Sequence, residues 1–147
     1  MKKYKFIDHT ADVMFEAYGK TLNKIFENAA LATFEVQCNL RKIERKIKKK
    51  IKLKNDDIAN LLFDFLEELI YLKDARYLLF GKFRVKINKK LFGKPSSKIY
   101  ILEAEIEGEK INPKKHELKT DVKAITLHKF ELKKVKNGWK CRVLLDI

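Results

Sequence analysis

Arg41-Lys42-Ile43-Glu44-Arg45-Lys46-Ile47-Lys48-Lys49-Lys50-Ile51-Lys52-Leu53-Lys54 is the stretch on which the fold turns. Ile43, Ile47, Ile51 and Leu53 hold odd positions, while the even positions from 42 to 54 read Lys, Glu, Lys, Lys, Lys, Lys, Lys. A period of two describes an extended chain with one apolar and one solvated face, so a long strand is predicted over 41–54. The neighbouring segments have a helical period instead. Upstream, Leu22, Ile25, Phe26, Ala29, Ala30 and Phe34 follow Thr21, a good N-cap. Downstream, Ile58, Leu61, Leu62, Phe65, Leu66, Leu69 and Leu72 follow the capping group Asn55-Asp56-Asp57, with Asp64, Glu67 and Glu68 on the solvent side. The lysine face has two readings: an edge kept from aggregating by its charge, or a track for RNA. With no aromatic residue interleaved to stack a base, the first is preferred.

Outward from this core the chain reads as short strands. Tyr4 to Ile7 and Val13 to Tyr18, closed by Gly19, flank a turn at Asp8 to Asp12. Tyr77 to Phe80 and Phe83 to Ile87 are predicted as strands split by Gly81, and Asn88 to Lys98 as a loop, on the strength of Gly93, Pro95 and paired serines. Ile99 to Ile106 restores alternation, and Gly108 to Thr120 is polar and irregular. Val122 to Leu127, Phe130 to Val135 and Trp139 to Leu145 complete the set, the last two joined by an Asn137-Gly138 hairpin signal. Strands, helix, strand, helix and many strands make an α+β fold with a largely antiparallel sheet and two main helices packed on it. No internal repeat is visible.

The 147 residues fit a single domain over 1–147, which can bury about 68 to 70 per cent of its unfolded surface. With 46% hydrophobic and 11% aromatic residues there is material for a core without staples. Cys38 and Cys141 fit no metal or disulfide pattern and are read as buried structural thiols. With no apolar leader after Met1-Lys2-Lys3-Tyr4 and no window long enough for a membrane span, a cytoplasmic location without membrane contact is expected. The net charge of +14 favours polyanionic partners, nucleic acid or acidic protein, without choosing among them.

Several chemistries drop out. There is no GxxxxGK[ST] and no GxGxxG, and Thr120 stands four after His116 where a zinc helix needs histidine. What remains is Asp8-His9-Thr10-Ala11-Asp12 near the start and Asp146-Ile147 at the end, where an aspartate and the α-carboxylate adjoin. Converging, they would supply oxygen ligands for a hard divalent cation; apart, Asp8 caps a turn and Asp146 is an ordinary strand-end residue. His9 is either a positioning donor or a structural histidine. His116, Glu117, Lys119, Lys123 and His128 form a charged group read as surface and, if functional, as a partner contact.

Asp8-His9-Thr10-Ala11-Asp12-Val13, His116-Glu117-Leu118-Lys119-Thr120-Asp121-Val122-Lys123-Ala124-Ile125-Thr126-Leu127-His128 and the Asp146-Ile147 terminus together resemble the three signatures of the archease family. Met14 stands where the family usually has glycine, Leu118 where it commonly has proline, and Leu127 where it has an aromatic; these touch loop geometry, not the carboxylates. The resemblance implies a strand-helix-strand-strand module with a large insertion. It also implies an accessory protein, not an enzyme, that promotes guanylylation and turnover of the tRNA-splicing RNA ligase. Chaperoning a tRNA cytosine methyltransferase is the family's second proposed role. In the ligase reading the basic surface would lie near tRNA or the nucleotide; the rival from another class is a stand-alone basic RNA-binding module that uses the lysine-rich strand. By motif position the implied cation ligands are Asp12, Asp146 and Ile147, with Ca²⁺ first and Mg²⁺ or Mn²⁺ as alternatives.

Overall fold

In the computed structural model, which describes residues 2–7, 12–93 and 97–147, the elements in chain order are β1 (Tyr4–Ile7), β2 (Val13–Gly19), α1 (Leu22–Glu35), β3 (Ile47–Asn55), α2 (Ile58–Arg76), β4 (Leu78–Phe92), β5 (Ser97–Lys110), α3 (Pro113–His116), β6 (Ala124–Val135) and β7 (Gly138–Asp146). The helices start at their caps. Thr21 Oγ1 accepts the Lys24 N–H at 3.1 Å, and an Asp57 carboxylate oxygen accepts the Asn60 N–H at 2.9 Å. Ile25, Phe26, Ala29, Ala30 and Phe34 of α1 and Leu61, Leu62, Phe65, Leu66 and Leu69 of α2 are fully buried, so the helical periodicity marks the core faces.

The α+β class with antiparallel pairing holds, and the strands divide into two sheets, ordered β1-β2-β7-β6 and β3-β5-β4. The segments β2-α1-β6-β7 and β3-α2-β4-β5 follow the same course: a strand, a helix, then a hairpin whose second strand returns to pair with the first. The second is inserted between α1 and β6 of the first. The repeat is one of topology, which is why residue patterns do not show it.

The two units interlock through their helices. α1 packs on β2 and β7 of its own sheet and on β4 of the other, while α2 packs on β3, β4 and β5 and across onto β6. Glu27 and Asn23 of α1 accept the Val85 and Ile87 N–H groups, each at 2.9 Å, along the outer edge of β4. Reciprocally, Glu67 of α2 accepts the Ile125 N–H at 3.3 Å on the edge strand β6. Each helix thus satisfies backbone donors that an open edge would offer to another chain.

Several local expectations change. The strand expected from Arg41 begins at Ile47. Asn39 first caps a 3₁₀ turn at Leu40–Lys42, its side chain accepting the Arg41 N–H at 3.1 Å. Gly81 does not divide two strands; β4 runs through it with an irregularity between Phe80 and Lys82. Most of the loop expected at 88–98 is a two-stranded ribbon, since β4 continues to Phe92 and β5 begins at Ser97. β6 is likewise continuous, with its break in pairing between Thr126 and Glu131 at Lys129, whose φ is 57°. Asp64 and Glu67 are half-buried and hydrogen-bonded rather than solvated.

Candidate functional site

The pairing of β2 with β7 decides where the termini meet. Val13 stands opposite Leu145 and Phe15 opposite Val143. Asp12 immediately precedes Val13 and Asp146 immediately follows Leu145, so the register carries both aspartates and Ile147 to the same end of adjacent strands. Phe15, Val143 and Leu145 point into the core, and Asp146 lies on the opposite face with Leu144. Asp12 is half-buried, and Asp146 and Ile147 are exposed. The Asp8–Ala11 part of the expected cluster, His9 included, lies outside the described residues.

Two contacts seat this corner. The Lys123 N–H donates to the Asp146 carbonyl at 2.8 Å, tying the chain end to the lead into β6. Just upstream, the Lys73 ammonium, almost wholly buried, donates to an Asp121 carboxylate oxygen at 2.5 Å and to the Val122 carbonyl at 2.8 Å, and pairs with Asp74 at 2.8 Å. Lys73 was not singled out from sequence. A lysine on the core side of α2 beside Asp74 is the only signal it carries.

Neither Asp12 nor Asp146 ion-pairs with a lysine or arginine among the described residues. Beside Leu144 on the Asp146 face lies Thr126, whose buried hydroxyl has no hydrogen-bond partner among those residues. Two carboxylates without an ion-pair partner among the described residues, with a spare hydroxyl nearby, suit a hard, oxygen-preferring cation. Among the described residues no three His, Cys, Asp or Glu side chains form such a group.

The middle motif is divided by the structure. His116 is fully buried, not a surface contact: its Nδ1 accepts the Asn112 N–H at 2.8 Å, leaving Nε2–H to donate to Glu109 at 2.8 Å. Glu109 also accepts the Glu44 N–H at 2.7 Å and Lys115 Nζ at 2.9 Å. Burial alone would raise the Glu109 carboxyl, but these three bonds outweigh it and hold the pKa at about 2. Glu117, in the left-handed region at φ 52°, turns the chain out of this node. Lys119 and Thr120 then donate backbone N–H groups to the Gln37 and Val36 carbonyls beyond the end of α1. The signature therefore serves mainly to anchor the segment that leads into β6. Both cysteines are buried, and burial pushes each thiol up to about 12, which makes them poor nucleophiles.

Residues 4–147 match the sequence model of the Archease protein family (MTH1598/TM1083). The chain is 44% identical to a protein called archease from Pyrococcus furiosus over 148 residues, covering all of both chains. It is 39% identical to the archease of Methanosarcina mazei, covering 99% of this chain and 97% of that one. The solution structure of protein 1598 from Methanobacterium thermoautotrophicum superposes with a TM-score of 0.79 at 35% identity over the full length of both chains. The crystal structure of a Thermotoga maritima archease, described as a possible chaperone, shares the fold with a TM-score of 0.58 at 19% identity, covering 97% of this chain and 96% of that one. A whole-length family match and whole-length relatives above 30% identity place the chain in the archease family.

Proposed function

We propose that this protein is an accessory factor of the tRNA-splicing RNA ligase, promoting formation of the ligase's guanylylated histidine and so its multiple turnover in tRNA exon ligation. Family membership supports the reading, and the observation that carries it is the β2–β7 register, which brings Asp12 level with Asp146, with Ile147 next in sequence. In this reading Asp12, Asp146 and the Ile147 α-carboxylate hold a divalent cation. Ca²⁺ comes before Mg²⁺ or Mn²⁺ because strand-end carboxylates suit a flexible oxygen site better than a strict octahedron. When bound, the cation supplies positive charge for aligning triphosphate and nucleophile on the partner. The chain's own part is to present the corner, with Lys73 and the Lys123 N–H fixing its backbone. It acts on the ligase and is not itself the enzyme, and it works in the cytoplasm. The described helices include none long and apolar enough to cross a membrane.

Multiple-turnover ligation with purified ligase, with and without this protein, tests the proposal. Turnover should rise with the protein present. Asp12→Ala, and a variant with one glycine appended after Ile147, should lose both the stimulation and calorimetric Ca²⁺ binding. No stimulation by the unaltered chain would remove the central claim, and unchanged behaviour of the extended variant would remove the terminus from the site. A second reading, chaperoning a tRNA cytosine methyltransferase, draws on the description of the Thermotoga maritima protein as a possible chaperone. Suppression of methyltransferase aggregation, followed by light scattering, would favour it.

A further inference from the structure

The face of the β3-β5-β4 sheet turned away from the helices carries two rows of cations. Ile51, Val85, Leu102, Ala104 and Ile106 point to the core, so the alternate residues of each strand face outward. On β3 these are Lys48, Lys50, Lys52 and Lys54; on β4 they are Lys82, Arg84, Lys86 and Lys90. Between them β5 presents Glu103, Glu105 and Glu107. Eight cations against three carboxylates leave this face strongly positive. Within 4.0 Å, Lys48 reaches Glu107, and Arg84 reaches Glu105 and Glu107. The other six cations have no carboxylate that close among the described residues, so their charge is open to a ligand. A trough of about 490 Å³ runs between the rows, lined by Lys50, Lys52, Arg84, Lys86, Glu103 and Glu105.

At its far end the face changes character. Phe92 lies on the same side of β4 as Lys86 and Lys90 and is 56% exposed, and its neighbours across the ribbon on β5 are Ser97 and Ile99. No aromatic is interleaved within Arg41 to Lys54, but the partner hairpin supplies one in register with the second lysine row.

We propose that this face binds a single strand of RNA, its phosphates on the Lys50/Lys52 and Arg84/Lys86 rows and a base stacked on Phe92. Cations at every second residue are about 6.6 Å apart, comparable to successive phosphates along an extended strand. From Lys82 to Phe92 the track is about 33 Å long, within the span of known single-strand sites. An acidic protein would satisfy the lysines but gives the exposed ring no role. The row of glutamates, acceptors only, suits ribose hydroxyls and base amino groups at the floor of the trough. The surface lies on the sheet that does not carry Asp12 or Asp146 and needs neither ligase nor cation, so it stands apart from the function proposed above.

Fluorescence anisotropy with a labelled oligoribonucleotide of about 12 nucleotides, free and annealed to its complement, tests it across about 50 to 400 mM salt. The single strand should bind more tightly than the duplex, with affinity falling steeply as salt rises. The charge-removing set Lys50→Gln, Lys52→Gln and Lys86→Gln should weaken binding about tenfold and reduce the salt slope by about 2. Phe92→Ala should weaken it roughly tenfold with the slope unchanged. Asp12→Ala should leave binding intact, which separates this surface from the cation corner. Circular dichroism melting confirms that each variant is folded. Labelled polyglutamate binding as tightly as RNA, with no effect of Phe92→Ala, would make this an acidic-protein site and overturn the proposal. Duplex preference, or no binding at the lowest salt, would overturn it as well.

Discussion

Glu109 shows what one residue contributes here. Nearly buried on β5, its carboxylate accepts from His116, Lys115 and the Glu44 backbone and so joins α3, β5 and the approach to β3. Because its folded pKa of about 2 lies below the ordinary value of 4.5, the unfolded chain takes up the proton first as pH falls. The stabilisation is complete above about pH 4.5 and is lost as pH drops toward 2. Glu109→Gln should therefore cost about 1–3 kcal/mol at neutral pH, and the gap to the unaltered protein should close in that acid window. Denaturant unfolding measured from pH 7 to pH 2 checks both the size and the sign. The sequence showed the His116-Glu117-Leu118-Lys119 motif but not this partnership. Glu109 is seven residues away on another element and reads there as one more charge in a polar stretch.

Among the elements, the central strand β5 is the most constrained. Gly108 faces Phe80 across the ladder where β4 is irregular, and a Cβ there would overlap the Leu79 carbonyl oxygen. The backbones can approach so closely only without a side chain. Gly108→Ala should force them apart at a cost of about 1–3 kcal/mol and raise amide exchange along the Leu78–Phe80 segment. A hydrogen-exchange pattern unchanged by the substitution would contradict this. Gly81 was read from sequence as a boundary between two strands and Gly108 as the start of an irregular segment, yet β4 and β5 pass through them. Punctuation by glycine reports a local preference, and here long-range pairing overrides it. The helices were legible because cap and apolar face lie within one segment. The extents of β4 and β6 were not, because cross-strand partners carry them past a bulge or a left-handed residue.

For the whole molecule, the central feature is that each of two strand-helix-strand-strand units lends its helix to the other's sheet. Glu27 and Asn23 complete β4, and Glu67 completes β6. Neither unit has a closed core alone, so the protein should unfold in one cooperative step. Fluorescence of Trp139, its single tryptophan, on β7, should trace the same denaturation curve as far-UV circular dichroism. Separate midpoints would show that the inserted unit folds independently. The proposed cation site depends on the same cooperativity, since Asp12 and Asp146 are brought level only by a β2–β7 pairing that closes nearly the full length of the chain.

The sequence by itself determined the two capped helices, the alternating strands, the α+β class and the three signatures that mark the family. Each of these is written in the spacing of neighbouring residues or in their identity. Tertiary structure alone decided that the strands form two sheets with the helices shared between them and that His116 is buried against Glu109. It also decided that Phe92 joins the lysine rows on one face. These outcomes depend on register and on which edge meets which helix, and both are set by contacts between residues far apart along the chain.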